Sequence, residues 1–488
     1  MNTNLVGHMT STLPADDDHP YRNGAWAPQM NEYDADDCDV VGEIPDDLDG
    51  IYLRNTENPV HPAVGRYHPF DGDGMLHQMR FRDGRASYRN RFVRTAGLLA
   101  ENEAGRPLWA GILEPAARSE RDGWGARTRM KDASSTDVVV HAGRALTSFY
   151  QCGDLYAFDP ETLEQIGTED WHGRFPRDWG ISAHTKTDAR TGEMLVFNYA
   201  TEAPYMHYGV VDANHELAHW IEVPLPGPRL PHDMAFTENY AILNDFPLFW
   251  DPDFLAQGLN VPKWRPDLPT RFAVVPRRGR TEDIRWFEAE PTYVLHWANA
   301  YEDGDEIVLD GYFQGAPMPD PQGETDRYKR AFRGIDTNRL ETRLRRWRFD
   351  LATGRTTEET LSDRIMEFPM INQRFAGRRH RYTYNMTTAP GWFLFDGIVK
   401  HDLETGAEER YAFGDGVFGS ETPMAPRPGG TAEDDGYLVT FVTDMNDNSS
   451  ACLVFDAAAL SEGPIARVAL PERIASGTHS CWAPGPVG

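Results

Sequence analysis

Short apolar or alternating runs recur along the whole chain, and nowhere does a long stretch keep the three-to-four-residue rhythm of an amphipathic helix. The clearest runs cover residues 86–93, 138–149, 194–199, 240–244, 293–297, 306–312, 437–442 and 451–455. Turn-forming pairs punctuate them, among them Asp83-Gly84, Asp159-Pro160, Asp303-Gly304 and Asp435-Gly436. Thr191-Gly192-Glu193 and Thr405-Gly406-Ala407 read as hairpin corners between such runs. The pattern predicts an all-β chain of short strands joined by tight turns. A chain of 488 residues built this way must hide many strand edges, and a closed radial β-propeller does so. No clean repeat of blade length is visible, so periodicity alone leaves a pair of stacked sandwiches open. Helices are expected only over 253–258 and 323–333. Residues 1–30, rich in Asp, Pro and Asn, read as a flexible or surface-hugging arm before a single catalytic unit over 31–488.

Composition narrows the function classes. With 48 basic against 76 acidic residues the formal net charge is -28, a field that repels nucleic acid and anionic lipid headgroups. Nucleic acid is therefore not an expected partner. The aromatic content of 11% supplies ample surface for a core and argues against disorder. No apolar run is long enough to span a bilayer, and residues 1–16 lack the basic start and apolar centre of a signal peptide. Cys38, Cys152, Cys452 and Cys481 are scattered without a paired motif, which speaks against a cysteine zinc site or a disulfide scaffold and suits a reducing cytoplasm.

Of 16 histidines, four stand at the ends of apolar runs, where strands would enter a central axis. They are His184 in Ser182-Ala-His-Thr, His232 in Pro231-His-Asp-Met, His296 in Leu295-His-Trp and His479 in Thr478-His-Ser-Cys. Imidazole suits iron, copper, zinc and nickel, and four such ligands from four strands can converge only in a ring-like fold. Spacings of tens of residues carry no local metal signature, so each histidine alone reads more simply as a hydrogen-bonded core residue.

Whole phrases add to this reading. Tyr52-Leu-Arg-Asn and Tyr67-His-Pro-Phe-Asp-Gly-Asp-Gly-Met-Leu-His are followed by Ala183-His184-Thr-Lys-Thr-Asp, Pro231-His232-Asp-Met-Ala-Phe-Thr and His296-Trp-Ala-Asn-Ala-Tyr-Glu. Then come Glu367-Phe-Pro-Met-Ile-Asn, Gly377-Arg-Arg-His-Arg-Tyr, Pro426-Arg-Pro with Glu433-Asp-Asp-Gly-Tyr-Leu, and Gly477-Thr-His479. In this order, from Gly42 to Trp482, the chain resembles the carotenoid cleavage oxygenases.

That resemblance implies a seven-bladed β-propeller with a loop and helix cap over a central non-haem Fe(2+), held by His184, His232, His296 and His479. It also implies carboxylates behind the ligands: Glu367 for His296 and Glu421 for His479. A carboxylate that accepts the Nδ1 proton fixes the ring so that Nε2 faces the metal. Where the family carries a third glutamate, for His232, this chain aligns Gln151, whose carbonyl accepts the proton but brings no charge. Thr136 aligns with a position on the open side of the iron, although a strand-entry threonine capping a turn explains it equally well.

A ferrous ion on four neutral imidazoles keeps open positions for an alkene and dioxygen. Splitting one C=C into two C=O groups consumes one O2 with balanced electrons, so no reductase or 2-oxoglutarate is required. The resemblance thus implies a dioxygenase acting on a small lipophilic alkene and O2, with a carotenoid or apocarotenoid as first choice. Stilbene or phenylpropene cleavage is the alternative, and a retinoid-type isomerase or a binding member of the family is a further one. Phenol-cleaving relatives clamp their substrate with a Tyr and a Lys; here the aligned positions hold Ile112, in Trp109-Ala-Gly-Ile, and Tyr150. An apolar pocket involving Thr136, Tyr150, Ile112 and Phe246 is the expectation. The stretch from Phe246 to Leu255 lines a tunnel mouth, touches a membrane transiently or simply packs as a connecting loop. Lys131-Asp132 reads as a solvated pair. The oligomeric state is left open.

Overall fold

The computed structural model describes residues 1–122, 130–175 and 179–485. Seven antiparallel sheets are arranged around one axis, and each runs strand by strand from the centre outward. Six are formed in chain order, from inner strands at Asp137–His141, Lys186–Asp188, Ala235–Phe236, Val294–Asp303, Met366–Met370 and, for the last, the split pair Val417–Phe418 and Met424–Pro426. These are blades 2 to 7. Blade 1 closes the ring: its inner strand is the late segment Ser480–Pro484, paired antiparallel with Gly50–Glu57. A second closure lies on the rim, where Val40–Gly42 pairs with Pro464–Ala469 of blade 7. Both ends of the chain are thereby tied into sheets, which explains how a seven-bladed ring survives without an open seam.

The runs expected as strands are strands. Residues 138–149 split into Asp137–His141 and Arg144–Ser148 around a tight turn at Ala142-Gly143. At the expected corners, Gly192 and Gly406 take φ of 71° and 73°, a region in which a side chain is strained. Most inner and middle strands are buried on both faces, because each sheet packs between two neighbours; Gly436–Asp444 and Gly74–Arg82 are buried along almost their whole length. Helices are few and short. Pro252–Leu255 overlaps the first expected segment and Arg327–Ala331 falls inside the second, whereas Ala96–Ala104, capped by Thr95 and ended by Gly105 at φ 65°, lies outside them. Among the described residues no helix is long and apolar enough to cross a membrane.

Two expectations need correction. The first 30 residues are not a free arm: Asn2–His8 pairs with Asn31–Asp36 at the edge of blade 1, and Tyr21 and Trp26 are buried. Polar composition hid these two aromatic anchors. Lys131-Asp132 is not solvated either. Lys131 Nζ meets Asp73 and Glu101 (2.7 Å to Oε2), and Asp132 accepts the amide protons of Ser134 and Asp154 at 3.0 and 2.8 Å. Burial there is tolerable because each charge has a partner or several donors.

Candidate metal centre

The four histidines meet on the axis. His184 and His232 immediately precede the inner strands of blades 3 and 4, His296 lies within that of blade 5, and His479 precedes that of blade 1. The His184 ring centroid lies 4.7, 5.1 and 4.6 Å from those of His232, His296 and His479. His296 and His479 are 4.7 Å apart. Ligand nitrogens of His184, His232 and His296 all fall within 4.8 Å of one another. His232 Nε2 faces His296 Nε2 at 3.4 Å, too long for a strong hydrogen bond but suited to two ligands sharing one ion.

Local backbone strain accompanies this convergence. His184 and His232 take φ of 65° and 57°, and Phe368 takes 52°. Such conformations cost about 1–3 kcal/mol each and persist where the surroundings over-determine them. At His184 and His232 the left-handed turn swings the ring to the axis just before the inner strand begins, whereas Phe368 sits within Met366–Met370.

Two glutamates stand behind the rings. His296 Nδ1 donates to Glu367 Oε2 at 2.5 Å, and His479 Nδ1 lies 3.3 Å from Glu421 Oε1. Glu421 Oε2 also accepts the Ser480 amide at 2.6 Å. These bonds leave Nε2 of each ring turned inward. Burial is the largest influence on the imidazoles: it holds His184 and His232 well below the usual histidine range and brings His296 to about 3. At His479 burial opposes protonation, but Glu421 beside it outweighs that and lifts the ring above its ordinary value. A metal requires neutral imidazole, so three of the rings are already in ligand form. The residues fit a cation. Among the described residues His184 Nε2 is buried without a hydrogen-bond partner, and such an orphan atom in a ring of imidazoles is what a metal ion satisfies.

The remaining sequence-predicted residues separate into near and far. Thr136 is buried just before the inner strand of blade 2; its Oγ1 accepts the Tyr150 amide at 3.1 Å and its carbonyl accepts Thr478 Oγ1 at 3.1 Å. Tyr150 is buried against Phe70 and Phe149 at centroid distances of 5.6 and 4.9 Å, with Ile112 in the same cluster. Gln151 is 3% exposed, and among the described residues it makes no hydrogen bond to His232. Phe246 is fully buried between Tyr293 and Trp297, at 5.2 and 6.4 Å, as core between blades 4 and 5. Its stretch continues into Leu248–Trp250, paired with Pro262–Trp264.

Sequence reasoning missed several neighbours. Phe368 stacks on His296 at 4.9 Å and touches Phe395 and Phe393, forming an aromatic wall beside the ligands. Its position directly after Glu367 was the available signal. Asp137, Lys186 and Asp233 line a cavity of about 650 Å³ that runs along the inner strands from His184, His296 and His479. Lys186 Nζ pairs with Asp233 Oδ1 at 2.7 Å, and Asp233 Oδ2 accepts the Trp297 amide at 2.9 Å. Glu57 is buried with Thr478 Oγ1 3.2 Å away, and burial pushes its carboxyl up to about 8.

Comparison with known proteins places this arrangement. The family model described as retinal pigment epithelial membrane protein matches residues 26–484. A carotenoid 9,10(9',10')-cleavage dioxygenase of Phaseolus vulgaris is 33% identical, over 96% of this chain and 90% of that protein. An isoeugenol monooxygenase of Pseudomonas nitroreducens is 30% identical, over 96% and 98%. The crystal structure of a Pseudomonas brassicacearum lignostilbene dioxygenase superposes with a TM-score of 0.85 at 28% identity, covering 96% of this chain and 99% of that one. With the same fold and near-complete coverage, the chain belongs to the retinal pigment epithelial membrane protein family, the family of the carotenoid cleavage oxygenases.

Proposed function

We propose that this protein is a ferrous-iron dioxygenase that cleaves a conjugated C=C bond of a carotenoid or apocarotenoid into two carbonyl products. The observation that carries the proposal is the axial convergence of His184, His232, His296 and His479, with His184 Nε2 buried and, among the described residues, unpartnered. These four residues would hold the iron, with Glu367 and Glu421 orienting His296 and His479, while Gln151, at the position of the third glutamate, leaves His232 without such a bond among the described residues. Bound Fe(2+) would supply the activation of dioxygen that an all-organic site lacks. The protein's own part is to exclude water and hold the alkene in place. Phe368, Phe393, Phe70 and Tyr150 give the neighbourhood an apolar, aromatic character suited to a polyene. The catalytic unit is the propeller over 31–488 together with the N-terminal strand Asn2–His8 that extends blade 1, and its four free thiols suit a reducing cytoplasm.

A phenolic alkene is the second reading, favoured by the likeness to a lignostilbene dioxygenase and an isoeugenol monooxygenase. Against it stands the cluster at Tyr150 and Ile112, which offers no lysine where phenol-cleaving relatives have one. The test is mass spectrometry of products after the iron-loaded protein meets O2 and a mixed panel of an apocarotenal, β-carotene, resveratrol and isoeugenol. Shortened polyene aldehydes or ketones are expected, and their masses locate the cut. Hydroxybenzaldehyde or vanillin alone would transfer the assignment to phenolic alkenes, and an iron-loaded protein inert on the whole panel would refute the dioxygenase reading.

A further inference from the structure

The ring contributes one polar side chain per blade at the axial start of the inner strand. Blades 1, 3, 4 and 5 give the four histidines, blades 6 and 7 give Glu367 and Glu421, and blade 2 gives Asp137. Each glutamate reaches a ring on an adjacent blade: Glu367 of blade 6 to His296 of blade 5, and Glu421 of blade 7 to His479 of blade 1. Asp137 does the same toward blade 3. Its Oδ2 accepts the His184 backbone N–H at 3.1 Å and stands 3.8 Å from His184 Nδ1.

The carboxylate is itself fixed. Oδ1 accepts the Val138 amide at 2.7 Å, and the Asp137 carbonyl accepts Asn55 Nδ2, from a fully buried asparagine, at 3.2 Å. Asp137 is 7% exposed and borders the axial cavity together with His184, Lys186, Glu421 and His479. Lys186 is already paired with Asp233, and among the described residues no lysine or arginine pairs directly with Asp137. A carboxylate buried this far is costly unless a positive charge compensates it, and a cation on the four imidazoles is that charge.

We propose that Asp137 is a positioning residue of the metal centre: it holds the strained backbone of His184 and sets a negative charge beside that ligand. The inference rests on the metal reading above and extends it to a residue no sequence signal singled out. The two jobs separate experimentally. An asparagine keeps an oxygen for the His184 N–H but removes the charge, whereas a glutamate keeps the charge.

The experiment loads wild type, Asp137→Asn, Asp137→Glu and Asp137→Ala with ferrous iron without oxygen, then titrates each with a chelator. The thermal midpoint of each iron-free protein is recorded beside it. Asp137→Asn is expected to lose about 10–100-fold in iron affinity, the range typical of partners behind a metal ligand, while its iron-free midpoint stays at or above that of wild type because an uncompensated buried charge is gone. Asp137→Glu should retain more affinity than Asp137→Asn, and Asp137→Ala should lose both affinity and stability. If Asp137→Asn holds iron as tightly as wild type, the residue is only a backbone anchor and the inference falls alone. A wild type that takes up no iron overturns the metal reading, and this inference with it.

Discussion

Glu367 Oε2 accepts two hydrogen bonds of 2.5 Å, one from His296 Nδ1 and one from the Phe368 amide. One carboxylate oxygen thus ties the ring of a candidate ligand to the residue that stacks on that same ring. The carboxylate is fully buried, and among the described residues its other oxygen has no partner, so its orientation depends on this pair of bonds. Glu367→Gln keeps one acceptor and loses the charge. Iron affinity is expected to fall about 10–100-fold, read by chelator competition, with the fold retained by circular dichroism.

Glu57 gives a pH prediction. Burial raises its folded-state value to about 8, against about 4.3 for an exposed glutamate in the unfolded chain. Between those values the folded protein holds a proton that the unfolded chain has released. Its contribution to stability is therefore present in full below about pH 4.3 and is lost as pH rises through about 8. In the iron-free protein Glu367, also raised to about 8 by burial, adds in the same direction. Glu57→Gln has no proton to lose, so its thermal midpoint relative to wild type should be higher at pH 8 than at pH 5. A difference independent of pH would contradict this.

Lys131 bridges two buried carboxylates, Asp73 and Glu101. Lys131→Met removes the cation and leaves both acids without it, an imbalance that costs about 3–5 kcal/mol in comparable sites. Urea denaturation should show the loss. Arg106→Ala, which breaks the exposed surface pair of Arg106 with Glu120 at 2.6 Å, is expected to leave the urea midpoint nearly unchanged in the same assay.

The N-terminal segment holds the aromatic wall from behind. The Phe393 amide donates to Tyr21 Oη at 3.1 Å, and Trp26 Nε1 donates to the Phe393 carbonyl at 3.2 Å. The Ser476 amide, three residues before His479, donates to the Ala25 carbonyl at 2.6 Å. Tyr21→Phe leaves the buried Phe393 N–H unpaired and is expected to lower stability by about 1–3 kcal/mol, measured by urea denaturation. Deleting residues 1–29 should destabilise the protein further, since it also removes the strand at Asn2–His8.

Strand rhythm, turn chemistry and histidines at strand starts were all local, and the sequence carried them. The runs at 194–199, 240–244 and 451–455 became strands because alternation and Gly or Asp corners act over a few residues. Motif resemblance pointed to Glu367 and Glu421 beside His296 and His479, and in the fold these carboxylates lie 2.5 and 3.3 Å from the two Nδ1 atoms. What only the tertiary structure decided was closure and its consequences. Ser480–Pro484 meets Gly50–Glu57 across more than 400 residues of chain, and no local pattern encodes that pairing. Asp137 looks like any polar strand entry until the ring places blade 2 between His479 and His184. Lys131 reads as a surface charge until Asp73 and Glu101 close over it, and Tyr21 and Trp26 vanish in a polar arm until Phe393 arrives from the far end of the chain. The physical reason is common to all of them. Propensity and capping energies act between neighbours in sequence, while the partner that makes a buried charge or ring tolerable is brought by the fold.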